Sequence, residues 1–405
     1  MNAMHAPPLD AFRAITGSTC FLPFLMDSTD TTPHAAAGET AGATAARFDG
    51  APEQFASAIA HWQKACGRKG LPWQDTRDPY RIWLSEIMLQ QTQVTTVMGY
   101  YDRFLKRFPD VQALAAASQE EVMPYWAGLG YYARARNLHR CAQTVCAEWN
   151  GVFPPTVPEI ATLPGIGRST AAAIAAFAYG ERSPIMDGNV KRVFTRCFGI
   201  EGQVTERAVE NRLWTLADEM VSAAPETLDM TAYIQGLMDL GSQCCTRTKP
   251  NCQACPLQAA CHARLHSRQH ELPTPRARKA VPERECAMLV LNHQGRILLE
   301  QQRSPGIWGG LWSLPRYDDA TALRADTELL GFVQDEPCRM AAFTHVFTHF
   351  RLRIEPWYLH SEAPLMVMSP GIRQAWVPIP QLGEMALPAP VRKLLDGLFP
   401  PCSLI

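Results

Sequence analysis

Between about Phe48 and Leu265, apolar residues return every three or four positions, the spacing of helices with one buried face. Ile59 with Trp62, then Ile82 to Met98, Val111 to Ala117, Ala133 to Trp149, Thr170 to Tyr179, Val190 to Phe198 and Val209 to Val221 read as helix. Pro and Gly interrupt the pattern, as in Phe108-Pro-Asp110 and Phe153-Pro-Pro-Thr156. β-Branched alternation is absent here, so the spacing predicts an all-α unit. The character then changes. The stretch from Arg268 to Glu285 mixes Pro273, Pro275 and Pro282 with basic side chains, as linkers do. Beyond it, Ala287 to Leu291 and Ile297 to Leu299 flank a turn at Asn292 to Gly295, which predicts a β-hairpin. Arg351 to Glu355 alternates like a further strand, and Val391 to Leu398 reads as a closing helix, so the second unit is α+β.

The chain ahead of the first helix has a different composition. Thr29 to Ala46 is rich in Ala, Thr and Gly and poor in large apolar groups, the signature of a disordered tail. The apolar run Phe21 to Met26 is short, broken by Pro23, and lacks a basic segment before it, which argues against a signal peptide. The expected division is a tail at 1–46, a helical domain at 47–267, a linker at 268–284 and an α+β domain at 285–405. A length of 405 residues suits two or three domains, and no apolar run is long enough to span a bilayer.

The net charge of −1 gives no bulk sign of a nucleic-acid partner. Local charge does: Arg134, Arg136 and Arg140 share one segment, and Lys191, Arg192 and Arg196 another. Of 13 cysteines, Cys245, Cys252, Cys255 and Cys261 form a Cys-x6-Cys-x2-Cys-x5-Cys comb, and the odd remainder is scattered, which points to a reducing cytoplasm. Four soft sulfur donors select zinc or iron–sulfur over hard cations. Paired CxxC knuckles would favour zinc; this unequal comb favours one [4Fe–4S] cluster.

Leu163-Pro-Gly-Ile-Gly-Arg-Ser-Thr-Ala171 joins two helices through a Gly-x-Gly turn. Gly165 and Gly167 permit backbone shapes and close approaches that a Cβ would block. Backbone N–H groups beside a helix N-terminus form an anion site suited to a phosphodiester, with Arg168 adding charge and Ser169 and Thr170 available as caps. Glu86 is the lone charged residue between Arg81 and Asp102, with Ile82, Trp83 and Leu89 a helical turn away, so desolvation can raise its pKa. Glu86, Gln90 and Gln93 also share one helical stripe, which fits a solvated face equally well. Asp187, ahead of Gly188 and Asn189, reads on its own as a cap or turn residue.

The hairpin, Asp187 twenty residues after Gly167, and the cysteine comb together resemble the helix–hairpin–helix DNA glycosylase superfamily. Leu71 to Gln74, Trp83 to Gln93, Gly128 to Asn137 and Asp187 to Arg192 resemble, more narrowly, its adenine DNA glycosylase (MutY) family. The resemblance implies a mainly α catalytic domain with an iron–sulfur loop, followed by a Nudix-like domain. It implies a cytoplasmic, nucleoid-associated monomer acting on duplex DNA that carries adenine opposite 8-oxoguanine or guanine. Glu86 would protonate the departing adenine at N7, and Asp187 would steady the oxocarbenium-like sugar. Asn189 would orient the sugar or Asp187, and Lys191 would contact phosphate. Gln90, Gln91 and Tyr131 would enter the gap or meet the opposite base. Endonuclease III carries a lysine where Ser169 stands here, so the expected enzyme leaves an abasic site without cutting the strand. Gly306 to Trp312 and Phe343 to His349 resemble the family's second domain, in which Phe347, Thr348 and His349 would probe for 8-oxoguanine. The family often has serine at the place of Thr348. The magnesium-holding Arg-Glu-x-x-Glu-Glu box of Nudix hydrolases is missing, which leaves recognition without hydrolysis. The competing readings are a bifunctional glycosylase–lyase and a non-enzymatic iron–sulfur DNA-binding redox sensor.

Overall fold

A computed structural model describes residues 48–276, 280–303, 306–329, 336–361 and 372–400; the tail expected at 1–46 lies outside the described residues, as do 277–279 of the expected linker. The chain opens with α1 (Pro52–Cys66), α2 (Pro79–Leu89), α3 (Val94–Arg107), α4 (Val111–Ala116), α5 (Gln119–Trp126) and α6 (Ala133–Glu148). It continues through α7 (Val157–Ile160), α8 (Arg168–Tyr179), α9 (Gly188–Phe198), α10 (Arg207–Ala223), α11 (Met230–Asp239) and α12 (His262–Leu265). Among the described residues no strand precedes Glu283, and no helix is long and apolar enough to cross a membrane.

The second half contains β1 (Glu283–His293), β2 (Arg296–Gln301), β3 (Trp312–Ser313), β4 (Arg316–Tyr317), α13 (Ala320–Leu329), β5 (Cys338–Arg339), β6 (Phe343–Val346), β7 (Arg351–Ser361), β8 (Gln374–Pro378) and α14 (Ala389–Leu398). β1 pairs in parallel with β7 and antiparallel with β2, giving a mixed sheet ordered β3-β2-β1-β7-β5. β1 reads as an unbroken apolar run because both its faces are covered. Ala287, Leu289 and Leu291 pack with Leu323 of α13, whereas Cys286, Met288 and Val290 face the other way. That second face joins one apolar cluster that continues into the helices through Trp308, Leu311 and Leu314. Helical domain and sheet thus share a core.

Two expectations need correction. The helix expected over Ile82 to Met98 is two helices: α2 stops at Leu89, α3 starts at Val94, and Gln91 between them has φ 58°. The paired basic segments are largely internal. Arg134 donates to carbonyls of α2, Arg136 Nη1 to Gly309 O at 2.7 Å, and Lys191 Nζ to Glu210 at 2.6 Å. Arg192 donates to Cys245 O, and Arg196 is 3% exposed. Arg140 is exposed.

Candidate active site

α2 begins with Pro79 at its first turn, capped by Asp78, whose carboxylate accepts from Tyr80 N at 2.9 Å. The helix is apolar nearly all round, and Tyr80, Ile82, Trp83, Leu84, Ile87 and Met88 are buried. Arg81 points to solvent at the first turn, and Glu86 is the one acidic residue. It opens into a pocket of about 360 Å³ whose walls include Trp73, Gln74, Ile82, Ser85 and Gln235. That size suits a nucleobase rather than a large ligand. Burial pushes the Glu86 carboxyl from the ordinary 4.5 up to about 7, with the Asp187 charge adding to the rise. The two carboxyls, distant in sequence, therefore lie within each other's field.

Asp187 caps α9. Its Oδ1 accepts from Val190 N at 2.7 Å and its Oδ2 from Asn189 Nδ2 at 3.2 Å. Asn189 Oδ1 accepts from Arg192 Nη2 at 2.8 Å, and Arg192 Nε donates to Cys245 O at 2.8 Å. A hydrogen-bonded chain thus runs from the carboxylate to the cysteine loop. The segment before Asp187 is fixed by Ser169, whose Oγ accepts from Met186 N at 2.9 Å. Ser169 is therefore no helix cap: the N-cap of α8 is Gly167, without a side-chain cap. Thr170 does not cap either; its Oγ1 meets Gln90 Nε2 at 3.4 Å.

Within the hairpin the two glycines differ. Gly165 has φ +80°, and a Cβ there would lie 2.7 Å from Asn137 Cβ. Gly167 is not in the left-handed region, and a Cβ would meet nothing within 4 Å. Its surroundings are open, as an approaching phosphate requires. Arg168 is not free beside the turn. It pairs with Asp218 at 3.0 Å and lies 3.9 Å from the Trp214 ring centroid.

The expected base readers collect on one side. Gln90 ends α2, Gln91 is exposed, and Tyr131 is 46% exposed with φ 48°. Across the domain boundary, the Tyr131 hydroxyl lies 3.1 Å from Thr348 Oγ1. Phe347, Thr348 and His349 follow β6 in a turn closed by Phe347 N donating to Phe350 O at 2.9 Å. Phe347 stacks on Phe350 with centroids 4.4 Å apart, and His349 stays exposed.

Cys245, Cys252, Cys255 and Cys261 border one small hollow. A π turn (Leu240–Cys244) extends α11 into it. Cys244, one of the cysteines taken as scattered, borders the same hollow. Among the described residues no three His, Cys, Asp or Glu side chains close on a point as a single ion demands. Buried Arg196 donates to Cys245 Sγ at 3.4 Å and to the carbonyls of Thr246, Arg247 and Leu272. A desolvated guanidinium with carbonyl and sulfur acceptors calls for nearby negative charge, which thiolates supply. The donor set fits an anionic four-thiolate cluster.

Residues 84–219 match the model of the HhH-GPD superfamily of base excision DNA repair proteins, and residues 286–397 match a NUDIX domain. The adenine DNA glycosylase of Buchnera aphidicola subsp. Acyrthosiphon pisum is 31% identical over 349 residues, covering 85% of this chain and 97% of its own. The chain belongs to the adenine DNA glycosylase family. The family's Homo sapiens member is 31% identical over 392 residues, covering 81% of this chain and 71% of its own. Among solved structures, a thermostable thymine-DNA glycosylase is 28% identical with TM-score 0.47, covering 53% of this chain and 97% of that one. A trapped endonuclease III–DNA covalent intermediate is 19% identical with TM-score 0.45, over 53% of this chain and 98% of that one. As an adenine DNA glycosylase family member, this protein is a DNA N-glycosylase of base excision repair, and DNA is its partner.

Sequence reasoning gave no role to Trp73, Gln74 and Gln235, which line the pocket beside Glu86. Leu71-Pro-Trp-Gln74 was one of the strings shared with the adenine glycosylase family, so a signal existed for the first two. Gln235 lies on α11, a helix the apolar spacing did not reveal.

Proposed function

We propose that the enzyme hydrolyses the N-glycosidic bond of adenine paired with 8-oxoguanine or guanine, and leaves the strand intact. The observation that carries the reading is the pairing of Glu86 and Asp187: a desolvated carboxyl held neutral up to about pH 7 lies in the field of a hydrogen-bonded carboxylate. Adenine leaves the stack and enters the pocket beside Glu86, which Trp73, Gln74 and Gln235 line. Glu86 donates its proton to N7, so the base departs neutral rather than as an anion. Positive charge grows on the sugar, and Asp187, fixed by Val190 N and Asn189, stabilises it. Water completes the hydrolysis.

The missing strand cleavage has two supports. Ser169 carries no amine, and the Lys191 amine is engaged by Glu210 at 2.6 Å, which leaves it poorly placed to form a Schiff base. Gln90, Gln91 and Tyr131 read the gap and the opposite base, with Phe347, Thr348 and His349 facing them from the second domain; the Tyr131–Thr348 contact supports that pairing of roles. The hairpin around Gly165 and Gly167 holds backbone phosphate through its N–H groups, with Arg168 kept to one side by Asp218. Cys245, Cys252, Cys255 and Cys261 would hold one [4Fe–4S] cluster, which fixes the loop carrying Arg247 and Lys249.

The test is a duplex with one adenine opposite 8-oxoguanine. Free adenine should appear at once, strand breaks only after alkali, and borohydride should trap no protein–DNA adduct. Release of no base, or efficient trapping with cleavage before alkali, overturns the reading.

A further inference from the structure

We propose that Arg134 is the positioning residue that locks together the two loops reading the mispair, the Gln90–Gln93 break and the Gly128–Tyr131 turn. This rests on the reader roles proposed above for Gln90, Gln91 and Tyr131. The loops are well separated in sequence, and both contain a non-glycine residue in the left-handed region, Gln91 at φ 58° and Tyr131 at φ 48°. Backbone held in such a shape needs an external restraint.

One guanidinium supplies it to both. Nη1 donates to Ile87 O at 2.8 Å and Met88 O at 2.9 Å, taking carbonyls at the C-terminus of α2 where continued helix would otherwise claim them. Nη2 reaches Thr92 Oγ1 at 3.1 Å in the first loop, then Leu129 O at 3.3 Å and Gly130 O at 3.4 Å in the second. The guanidinium carbon also lies 5.3 Å from the ring centroids of Tyr131 and Trp126, and Trp126 Nε1 donates to Gly130 O at 3.1 Å. Its acceptors are four carbonyls and one hydroxyl from three separate segments. A planar fork can serve that many at fixed angles; an ammonium cannot. The cation on α6 is thus spent on backbone, not phosphate, and it shapes the surface that meets the pair.

The test compares Arg134→Lys with the wild type on two duplexes: adenine opposite 8-oxoguanine, and adenine opposite an abasic site, where the target base is already unpaired. Extrusion is followed with 2-aminopurine in place of adenine, and base release under single-turnover conditions. Arg134→Lys should slow extrusion and release about tenfold or more from the paired duplex, and about twofold or less from the unpaired one. Equal slowing on both duplexes would mark a general structural role and overturn the proposal, as would wild-type rates on both. Thr92→Val, which removes one contact of the clamp together with the long Thr92 Oγ1 to Gln90 O bond at 3.4 Å, should show the same selective loss severalfold weaker, and Thr92→Ser, which keeps both, should restore it; the pair decides the matter if Arg134→Lys does not fold. Tyr131→Ala separates the two claims. If it fails to slow the paired duplex, the reader roles themselves fail; if it slows that duplex while both clamp variants do not, the clamp alone is wrong.

Discussion

Glu86 was legible in the sequence as the one charge in a long uncharged window, but the same stripe suited a solvated face. The structure separates the readings by turning the carboxyl from α2 into a pocket that Trp73, Ile82 and Phe177 help to wall, where burial raises it to about 7. Glu86→Gln should keep mispair binding and lower base release by about 10²–10⁴-fold. In the wild type the single-turnover rate should fall about tenfold per unit above about pH 7, as the acid loses its proton. A pH-independent rate there would remove Glu86 from the role. Stability carries the same signature with a defined sign. Between the ordinary carboxyl value of 4.5 and about 7, the folded chain keeps a proton that the unfolded chain has lost, so Glu86 costs stability as pH rises through that window. Glu86→Gln escapes the cost. Its advantage over the wild type in urea unfolding should grow from near zero at about pH 4 to roughly 1–2 kcal/mol at about pH 8, the figure reduced because the side chain is partly solvated. Parallel stability–pH curves would contradict this. Arginine was the residue type read worst: Arg134, Arg136, Arg192 and Arg196 looked like a phosphate-binding face, because sequence shows a charge but not the carbonyls within its reach.

Among elements, α8 and α9, each ended by a glycine, were readable; α11 was missed despite its Asp229 cap, and so was the α2–α3 break. Apolar spacing continues through Val94 and Val97, and Gln90 to Gln93 contains neither Gly nor Pro, so nothing local ends the helix. What ends it comes from α6, through Arg134. The hairpin was legible from its glycines, yet their reasons differ, and substitution should separate them. Gly165→Ala combines a left-handed backbone with a Cβ 2.7 Å from Asn137 Cβ, and should cost about 2–4 kcal/mol of stability. Gly167→Ala meets no neighbour and should leave the melting temperature within about 2 °C. It should nevertheless weaken duplex binding severalfold, because the added methyl stands where the phosphate approaches. Unchanged affinity for Gly167→Ala would move the phosphate site elsewhere.

At the scale of the whole molecule, the two domains were separable in sequence by their change of period, but their docking was hidden, since it joins groups far apart along the chain. Arg136 Nη1 donates to Gly309 O at 2.7 Å, Glu120 pairs with Arg373, and the Tyr131 and Thr348 hydroxyls meet at 3.1 Å. Beneath them one apolar cluster crosses from helices to sheet. On the proposed reading, chemistry and recognition are separated: Glu86 and Asp187 lie within the helical domain, whereas Phe347, Thr348 and His349 would reach the mispair only with the second domain held in register. A displacement of about 1 Å is enough to forfeit such a contact. Arg136→Ala leaves Gly309 O without its charged donor, a loss of about 1.5–3 kcal/mol at the docking surface, while touching neither carboxylate. Release of adenine opposite guanine, which gains nothing from an 8-oxoguanine probe, should therefore stay within about twofold of wild type. Release opposite 8-oxoguanine should fall toward that lower rate, so their ratio drops about tenfold, the effect of some 1.4 kcal/mol. If both rates fall together, Arg136 supports the active site rather than the register of the domains.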